Sequence, residues 1–118
     1  MDDYKLAKAA TNWWIKEMTN RCSELYPHKM HDDAFSLELA RFEAVLFEEI
    51  SVCIQNRGYL SLTCCLRPCR QLSKLTKKAN LSLEYLPSRA TMEILGNSVE
   101  VSVDGNALHQ LPITANYL

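Results

Sequence analysis

The spacing of the apolar residues changes once along this chain of 118 residues, and that change predicts the fold class. In the first 56 residues, apolar side chains recur every three or four positions, which is typical of one face of an α-helix. From Tyr59 to Leu66 they alternate, as in a strand with one face on a core. The sequence therefore predicts a single domain over residues 1–118, with a helical half (1–56) and a half that contains the strands (57–118).

Two helices are predicted in the helical half, over residues 4–26 and 33–56. Pro27 ends the first, because proline cannot continue the helical hydrogen-bond ladder. Asp32 or Asp33 can cap the second, since either places an acceptor and a negative charge at the helix N-terminus. The second helix has two apolar stripes on nearly opposite sides. The first contains Phe35, Leu39, Phe42, Leu46, Ile50 and Cys53, and the second contains Leu37, Ala40, Ala44, Phe47 and Ile54.

A helix that is apolar on two sides has to be covered twice. The sheet is expected to cover one stripe. The other stripe has two alternative covers, the first helix or the same helix in a second copy of the chain. The first helix is the simpler explanation in a domain of this size, and a homodimer is the alternative.

The half that contains the strands begins with a predicted strand over Tyr59–Leu66 and continues into a third helix over 68–79. Pro68 suits the first turn of a helix, where its missing N–H is not needed. Asn80 can end the helix in the left-handed conformation. The helix is expected to bury Cys69, Leu72, Leu75 and Ala79. The connection after it is expected to pack against the core through Leu81, Leu83 and Leu86.

A β-hairpin is predicted next. Two runs rich in strand-forming residues, Thr91–Leu95 and Ser98–Val103, flank the turn dipeptide Gly96-Asn97. A short edge strand within Ala107–Leu111 can follow. The order α-α-β-α-β-β, with this optional last strand, predicts an α+β fold, a two-layer domain with a small sheet. If the strands around the third helix are parallel neighbours, their connection should be right-handed.

Composition excludes several classes of protein. Apolar residues make up 47% of the chain and charged residues 23%, so disorder is not expected. There is no apolar run of 18 residues, as a membrane span would need, and no apolar N-terminal segment of the secretory type. Five cysteines, an odd number without spaced pairs, favour reduced thiols. The expectation is a soluble cytoplasmic domain.

Charge is sorted along the sequence. Residues 57–90 contain seven basic side chains and one acidic side chain, a balance of +6, whereas residues 1–56 sum to −4 and residues 91–118 to −3. Segregated charge of this kind steers partners towards one surface. Five of the cations fall within about 100° of arc on the predicted third helix, opposite its leucines. They are Arg67, Arg70, Lys74, Lys77 and Lys78.

This basic stripe has two interpretations. Most charge runs are solvated outer faces. Alternatively, the stripe docks an anion, which can be nucleic acid, a nucleotide, an acidic protein surface or the acidic second helix of another copy. A sequence pI of about 6.3 and the absence of aromatic residues on that helix weaken the nucleic-acid interpretation.

Trp13 lies about 120° from the centre of the apolar stripe on the first helix. One interpretation is that it packs against a neighbouring element, because large aromatic side chains are buried on average. The other is that it is an exposed anchor for a partner, since tryptophan is enriched at binding hot spots.

No motif indicates an enzyme, and no metal or other cofactor is expected. Cys64 and Cys65 are adjacent on a strand and point to opposite faces, so with Cys69 they are expected to be core thiols rather than zinc ligands. His28 and His31 precede the second helix, most simply in a surface loop. The adjacent carboxylates Glu48 and Glu49 have no matched nucleophile, and His109 has no identifiable partner.

Segments near both ends resemble a family. Thr11-Asn12-Trp13-Trp14, together with Leu86-Pro87, Thr91-Met92-Glu93-Ile94 and Ser98-Val99-Glu100-Val101-Ser102, is similar to small uncharacterised proteins carried by phages and mobile elements of Firmicutes. The resemblance covers about a third of the chain and includes no catalytic motif. It implies a context in which small proteins act by binding, for example by blocking a defence nuclease, sequestering a signalling nucleotide or regulating transcription.

The function expected from the sequence is therefore non-enzymatic binding. The partner is a protein, such as a host or defence protein that a phage-encoded inhibitor would block, and the contact uses the basic stripe with Trp13 as a possible anchor. The alternatives are sequestration of a small anionic ligand or signalling nucleotide at a subunit interface, and regulation through nucleic-acid binding.

Overall fold

A computed structural model describes residues 3–113 and has an α+β architecture, as predicted. Residues 1–2 and 114–118 of the predicted domain lie outside the described part. The long helices are α1 (Asp3–Leu25), α2 (Asp33–Arg57) and α3 (Arg70–Ala79), and the strands are β1 (Tyr59–Cys65), β2 (Arg67–Pro68), β3 (Arg89–Leu95), β4 (Ser98–Val103) and β5 (His109–Gln110). Short 3₁₀ turns cover Pro27–His31 and Leu83–Tyr85.

The sheet has the strand order β2-β1-β3-β4-β5, and every neighbouring pair is antiparallel. Because β1 and β3 are antiparallel, the condition for a right-handed parallel crossover through α3 is not met. Alternate residues of the three longer strands are buried and form one continuous face beneath the helices. That face consists of Leu60, Leu62, Cys64, Ala90, Met92, Ile94, Val99 and Val101.

The hairpin prediction is confirmed. The β3–β4 register joins Leu95 to Ser98, which places Gly96-Asn97 in the turn, and Gly96 has a φ of +60°. A left-handed residue is what a two-residue hairpin of this twist requires. The predicted edge strand forms as the two-residue β5, which pairs with β4.

Both ends of α2 are fixed by local chemistry. The Asp32 carboxylate accepts a hydrogen bond of 2.9 Å from the Ala34 N–H, so Asp32 is the N-cap. At the other end Gly58 has a φ of +67°, and its N–H reaches the carbonyls of Cys53 and Ile54 at 3.1 Å. These contacts satisfy groups that would otherwise lack partners at the helix ends.

The two stripes of α2 have different environments. The first is buried, apart from the half-buried Leu39. In the second, Ile54 is buried, and Phe47 is half-buried under α1, where its ring meets the Tyr4 ring at 5.6 Å. Leu37, Ala40 and Ala44 are exposed. Helix α1 therefore covers part of the second stripe.

Within residues 3–113, every helix is too short or too polar to cross a membrane.

The end of β1 differs from the prediction. The predicted strand includes Leu66, but β1 ends at Cys65, and Leu66 is 78% exposed and has a φ of +67°. The chain reverses there, and Arg67 and Pro68 pair back onto β1 as β2. Helix α3 therefore begins two residues later than predicted, at Arg70, with Cys69 as its N-cap. The antiparallel pairing of Pro68 with Cys64 takes the place of the predicted first helical turn.

The connection after α3 is only partly as expected. Asn80 ends α3 with a φ of +55°, as predicted. Leu81 and Leu86 are buried, at 7% and 3% exposure. Leu83 was also expected to be buried, but it is 51% exposed. The 3₁₀ turn directs Leu83 outward, whereas Tyr85 of the same turn packs against Phe35, with 5.0 Å between ring centroids.

Trp13 is buried, with 9% of its surface exposed, so the interpretation as an exposed anchor is wrong. Its ring packs edge-on against the fully buried Trp14, with 5.2 Å between centroids. The buried Trp14 N–H has no hydrogen-bond partner among residues 3–113, and an unsatisfied donor of this kind costs about 1–3 kcal/mol. The tryptophan pair therefore contributes to the core through apolar contact.

The capping role of Asp32 gives a test of the fold. We expect Asp32→Ala to lower the free energy of unfolding by about 1 kcal/mol, because the Ala34 N–H loses its acceptor. Asp32→Asn keeps a side-chain oxygen and is expected to stay within a few tenths of a kcal/mol of the wild type. Urea denaturation of both variants makes the comparison, and an equal loss in both would contradict the cap.

Candidate functional site

Helix α3 presents its cations because its opposite side is buried. Leu72 is fully buried, Leu75 is 6% exposed and Ala79 is 2% exposed. These three residues follow the helical spacing and pack towards α2 and β1. With that side fixed, the polar side of α3 has to point to solvent.

Two hydrogen bonds between α2 and α3 fix the rotation of α3 further. The Gln71 amide donates to the Glu49 carboxylate at 2.7 Å near the start of α3. The Arg41 Nε donates to the Ala79 carbonyl at 3.2 Å at its end. The second bond satisfies a terminal carbonyl and places positive charge at the negative end of the helix dipole. Glu49 is therefore tied to Gln71 rather than freely solvated.

Four of the five cations singled out in the sequence come together on this helix. Arg70, Lys74, Lys77 and Lys78 are all exposed. No side-chain hydrogen bond or ion pair links any of them to another residue in the 3–113 range. From the first to the last, they extend over about 12 Å of helix. We call this set the basic face of α3.

Arg67 does not belong to the basic face, which corrects the prediction that all five cations share one helix. It lies on β2, before α3 begins. Together with Arg21 from α1, it lines a cleft of about 360 Å³, which we call the Arg21–Arg67 cleft. A second cleft, of about 170 Å³, contains Arg21 and Arg89.

Sequence reasoning missed Arg21 and Arg41. Both lie on the acidic, helical half of the chain, so the charge count along the sequence assigned them to the wrong surface. Arg41 reaches α3 through its bond to Ala79. Arg21 reaches the 3₁₀ turn through a bond of 3.4 Å from its Nε to the Glu84 carbonyl. Both contacts are tertiary, and no local spacing indicates them.

All five cysteines are free, and their environments differ. Cys22, Cys53 and Cys64 are buried, Cys69 is half-buried and Cys65 is exposed. The prediction of core thiols is therefore right for Cys64, only partly met by Cys69 and wrong for Cys65, which lies on the outer face of β1. Burial raises the pKa of the Cys22 and Cys64 thiols, and the neighbouring Cys69 raises the pKa of Cys64 further. Among the described residues, no group of three or more histidine, cysteine or carboxylate side chains is arranged to hold a metal ion.

His28 and His31 are exposed on the 3₁₀ turn before α2. In the same turn, a hydrogen bond with Tyr85 raises the pKa of Lys29, whose Nζ lies 5.8 Å from the Tyr85 ring centroid. Tyr85 in turn packs against Tyr26, with 6.0 Å between centroids. This turn is therefore held by aromatic packing and a cation–π contact.

Comparison with known proteins adds no relative. No family model, no curated protein and no solved structure matches the chain.

The thiol environments predict an order of reactivity. Cys65 should react first with a thiol reagent such as 5,5′-dithiobis(2-nitrobenzoate), because it is exposed. Cys22 and Cys64 should react slowly in the folded protein, since burial blocks access and a raised pKa lowers the thiolate fraction. Absorbance kinetics measure the phases. Cys65→Ser should remove the fastest phase and Cys53→Ser should leave it, whereas a fast phase that survives Cys65→Ser would contradict the assignment.

Proposed function

We propose that this chain is a non-enzymatic binding protein that docks an acidic surface of a protein partner on the basic face of α3. The main support is that four cations on one helix are exposed and form no side-chain hydrogen bond or ion pair with residues 3–113. Exposed cations without internal partners are available to an external anion. The hydrogen bonds of Gln71 and Arg41 hold the helix in place, so little ordering is needed on binding.

The surroundings of the basic face favour a compact acidic patch over a long polyanion. The four cations extend over about 12 Å, and the segments before and after residues 57–90 have balances of −4 and −3, so the chain outside residues 57–90 has a net negative charge. A nucleic-acid duplex extends its charge well beyond 12 Å and would be repelled by that net negative charge. The basic face also has no aromatic side chain on which single-stranded bases could stack.

A protein of this kind acts by occupying a surface of its partner. One form of that activity is inhibition of a host or defence protein. The resemblance to phage-borne proteins implies this form, and we include it in the proposal. The four side chains of the basic face are all cations and supply no convergent set of nucleophile, base and oxyanion donor, so they support binding rather than chemistry.

Charge reversal on α3 tests the proposal. Hexa-L-glutamate serves as a probe for a compact acidic protein surface, with duplex and single-stranded DNA as competitors. We expect the wild type to bind hexa-L-glutamate at low salt and to prefer it to DNA of similar total charge. The double variant Arg70→Glu/Lys74→Glu should lose at least about tenfold in affinity, since charge-assisted contacts of this kind are worth about 1.5–3 kcal/mol. Fluorescence anisotropy gives the dissociation constants.

The matched control is Lys5→Glu/Lys16→Glu, which changes the net charge equally but lies on α1. This control should bind almost as well as the wild type, and both double variants should keep the wild-type circular dichroism and melting temperature. An equal loss of affinity in the two variants would show that binding depends on net charge alone and would contradict docking on the basic face. Preference for DNA over hexa-L-glutamate would replace the proposal with the nucleic-acid alternative.

A further inference from the structure

The Arg21–Arg67 cleft lies between α1, the β1–β2 reversal and the connection that precedes β3. Its volume of about 360 Å³ falls within the range of small-molecule sites. Its lining is split between charge and apolar surface. The cations come from Arg21 and Arg67, and the apolar lining includes Leu66, Pro68, Leu83 and Pro87.

The two guanidinium groups are available to a ligand. Arg21 is oriented by the bond from its Nε to the Glu84 carbonyl, and its two Nη groups form no hydrogen bond with residues 3–113. Arg67 is exposed and has no side-chain hydrogen bond within that range. Glu84 supplies the acidic side chain in the lining, so the cleft keeps an excess of positive charge. Arginine is the side chain best suited to grip a carboxylate or phosphate with paired donors.

The apolar wall includes two leucines that the local backbone holds towards solvent. Leu66 and Leu83 are 78% and 51% exposed, although both are large apolar side chains beside a cleft. Leu66 also has a φ of +67°, a conformation that disfavours a leucine. Its N–H donates to the Ser88 carbonyl at 2.7 Å, which holds the strained residue in place. Strain of this kind clusters at ligand sites, where it positions a side chain.

We propose that the Arg21–Arg67 cleft binds a small organic anion that has an apolar body, with its carboxylate or phosphate between the two arginines and its apolar part against Leu66 and Leu83. This site is separate from the basic face of α3 and does not depend on the docking function. It lies within one chain, not at a subunit interface.

Phenyl phosphate is a suitable probe, because it combines a phosphate with an apolar ring. Titration of ¹⁵N-labelled protein should produce saturable amide shifts at Leu66, Arg67 and Ser88 and a shift of the Arg21 Nε–H. Inorganic phosphate, which cannot use the apolar wall, and phenol, which cannot use the arginines, should each bind at least about tenfold more weakly.

Three variants separate the contributions. Arg67→Gln and Arg21→Gln should each weaken phenyl phosphate binding by about tenfold or more, since each removes a charge-assisted contact. Arg67 is exposed and has no side-chain hydrogen bond with residues 3–113, so its replacement leaves the fold intact even if replacement of Arg21 does not. Leu66→Gly should weaken binding and also raise the melting temperature, because glycine accepts a positive φ without strain. Arg57→Gln, at the exposed end of α2, is the control and should bind like the wild type.

Several outcomes would overturn the proposal. These are an absence of saturable shifts around the cleft, shifts confined to α3, and equal loss of affinity in Arg57→Gln and Arg67→Gln. Inorganic phosphate binding as tightly as phenyl phosphate would overturn the role of the apolar wall. In contrast, failure of the charge-reversal test on α3 with intact phenyl phosphate binding would reject the docking function alone.

Discussion

The burial of Leu72, Leu75 and Ala79 determines what this protein presents to its surroundings. These side chains attach α3 to α2 and β1, and the hydrogen bonds from Gln71 and Arg41 hold it at both ends. Without them the helix could turn, and its cations would spread over the surface. Apolar burial on one side of a short helix therefore creates a concentrated positive surface on the other.

Much of the fold could be predicted from the sequence because it follows from local patterns. The helical spacing, the proline after α1, the Asp32 cap, the Gly96-Asn97 turn and the alternating strands each depend on a few neighbouring residues. The errors fall where a tertiary contact outweighs the local pattern. Pro68 suits a first helical turn, yet it pairs with Cys64 as an edge strand, and that pairing requires the reversal at Leu66.

The candidate site was predictable only in part for the same reason. Four cations of the basic face could be found because they follow the period of one helix. Arg67 was assigned to α3 because that helix was predicted to begin too early. Arg21 could not be found, since it is 46 positions away in the sequence from Arg67, with which it lines the cleft. Trp13 was ambiguous on the helical wheel, and its burial depends on its packing within the core beside Trp14.

The central claim is that the cations of the basic face take no part in internal ion pairs that stabilise the fold. The most direct test is the unfolding free energy of Arg70→Gln/Lys74→Gln, measured by urea denaturation at low and at high salt. Glutamine has nearly the same helix propensity as arginine and lysine. The account predicts an unfolding free energy equal to or a few tenths of a kcal/mol above that of the wild type at low salt, with the difference removed by about 0.5 M salt. A loss of about 1 kcal/mol or more at low salt would show that these cations form internal ion pairs, and would contradict the account.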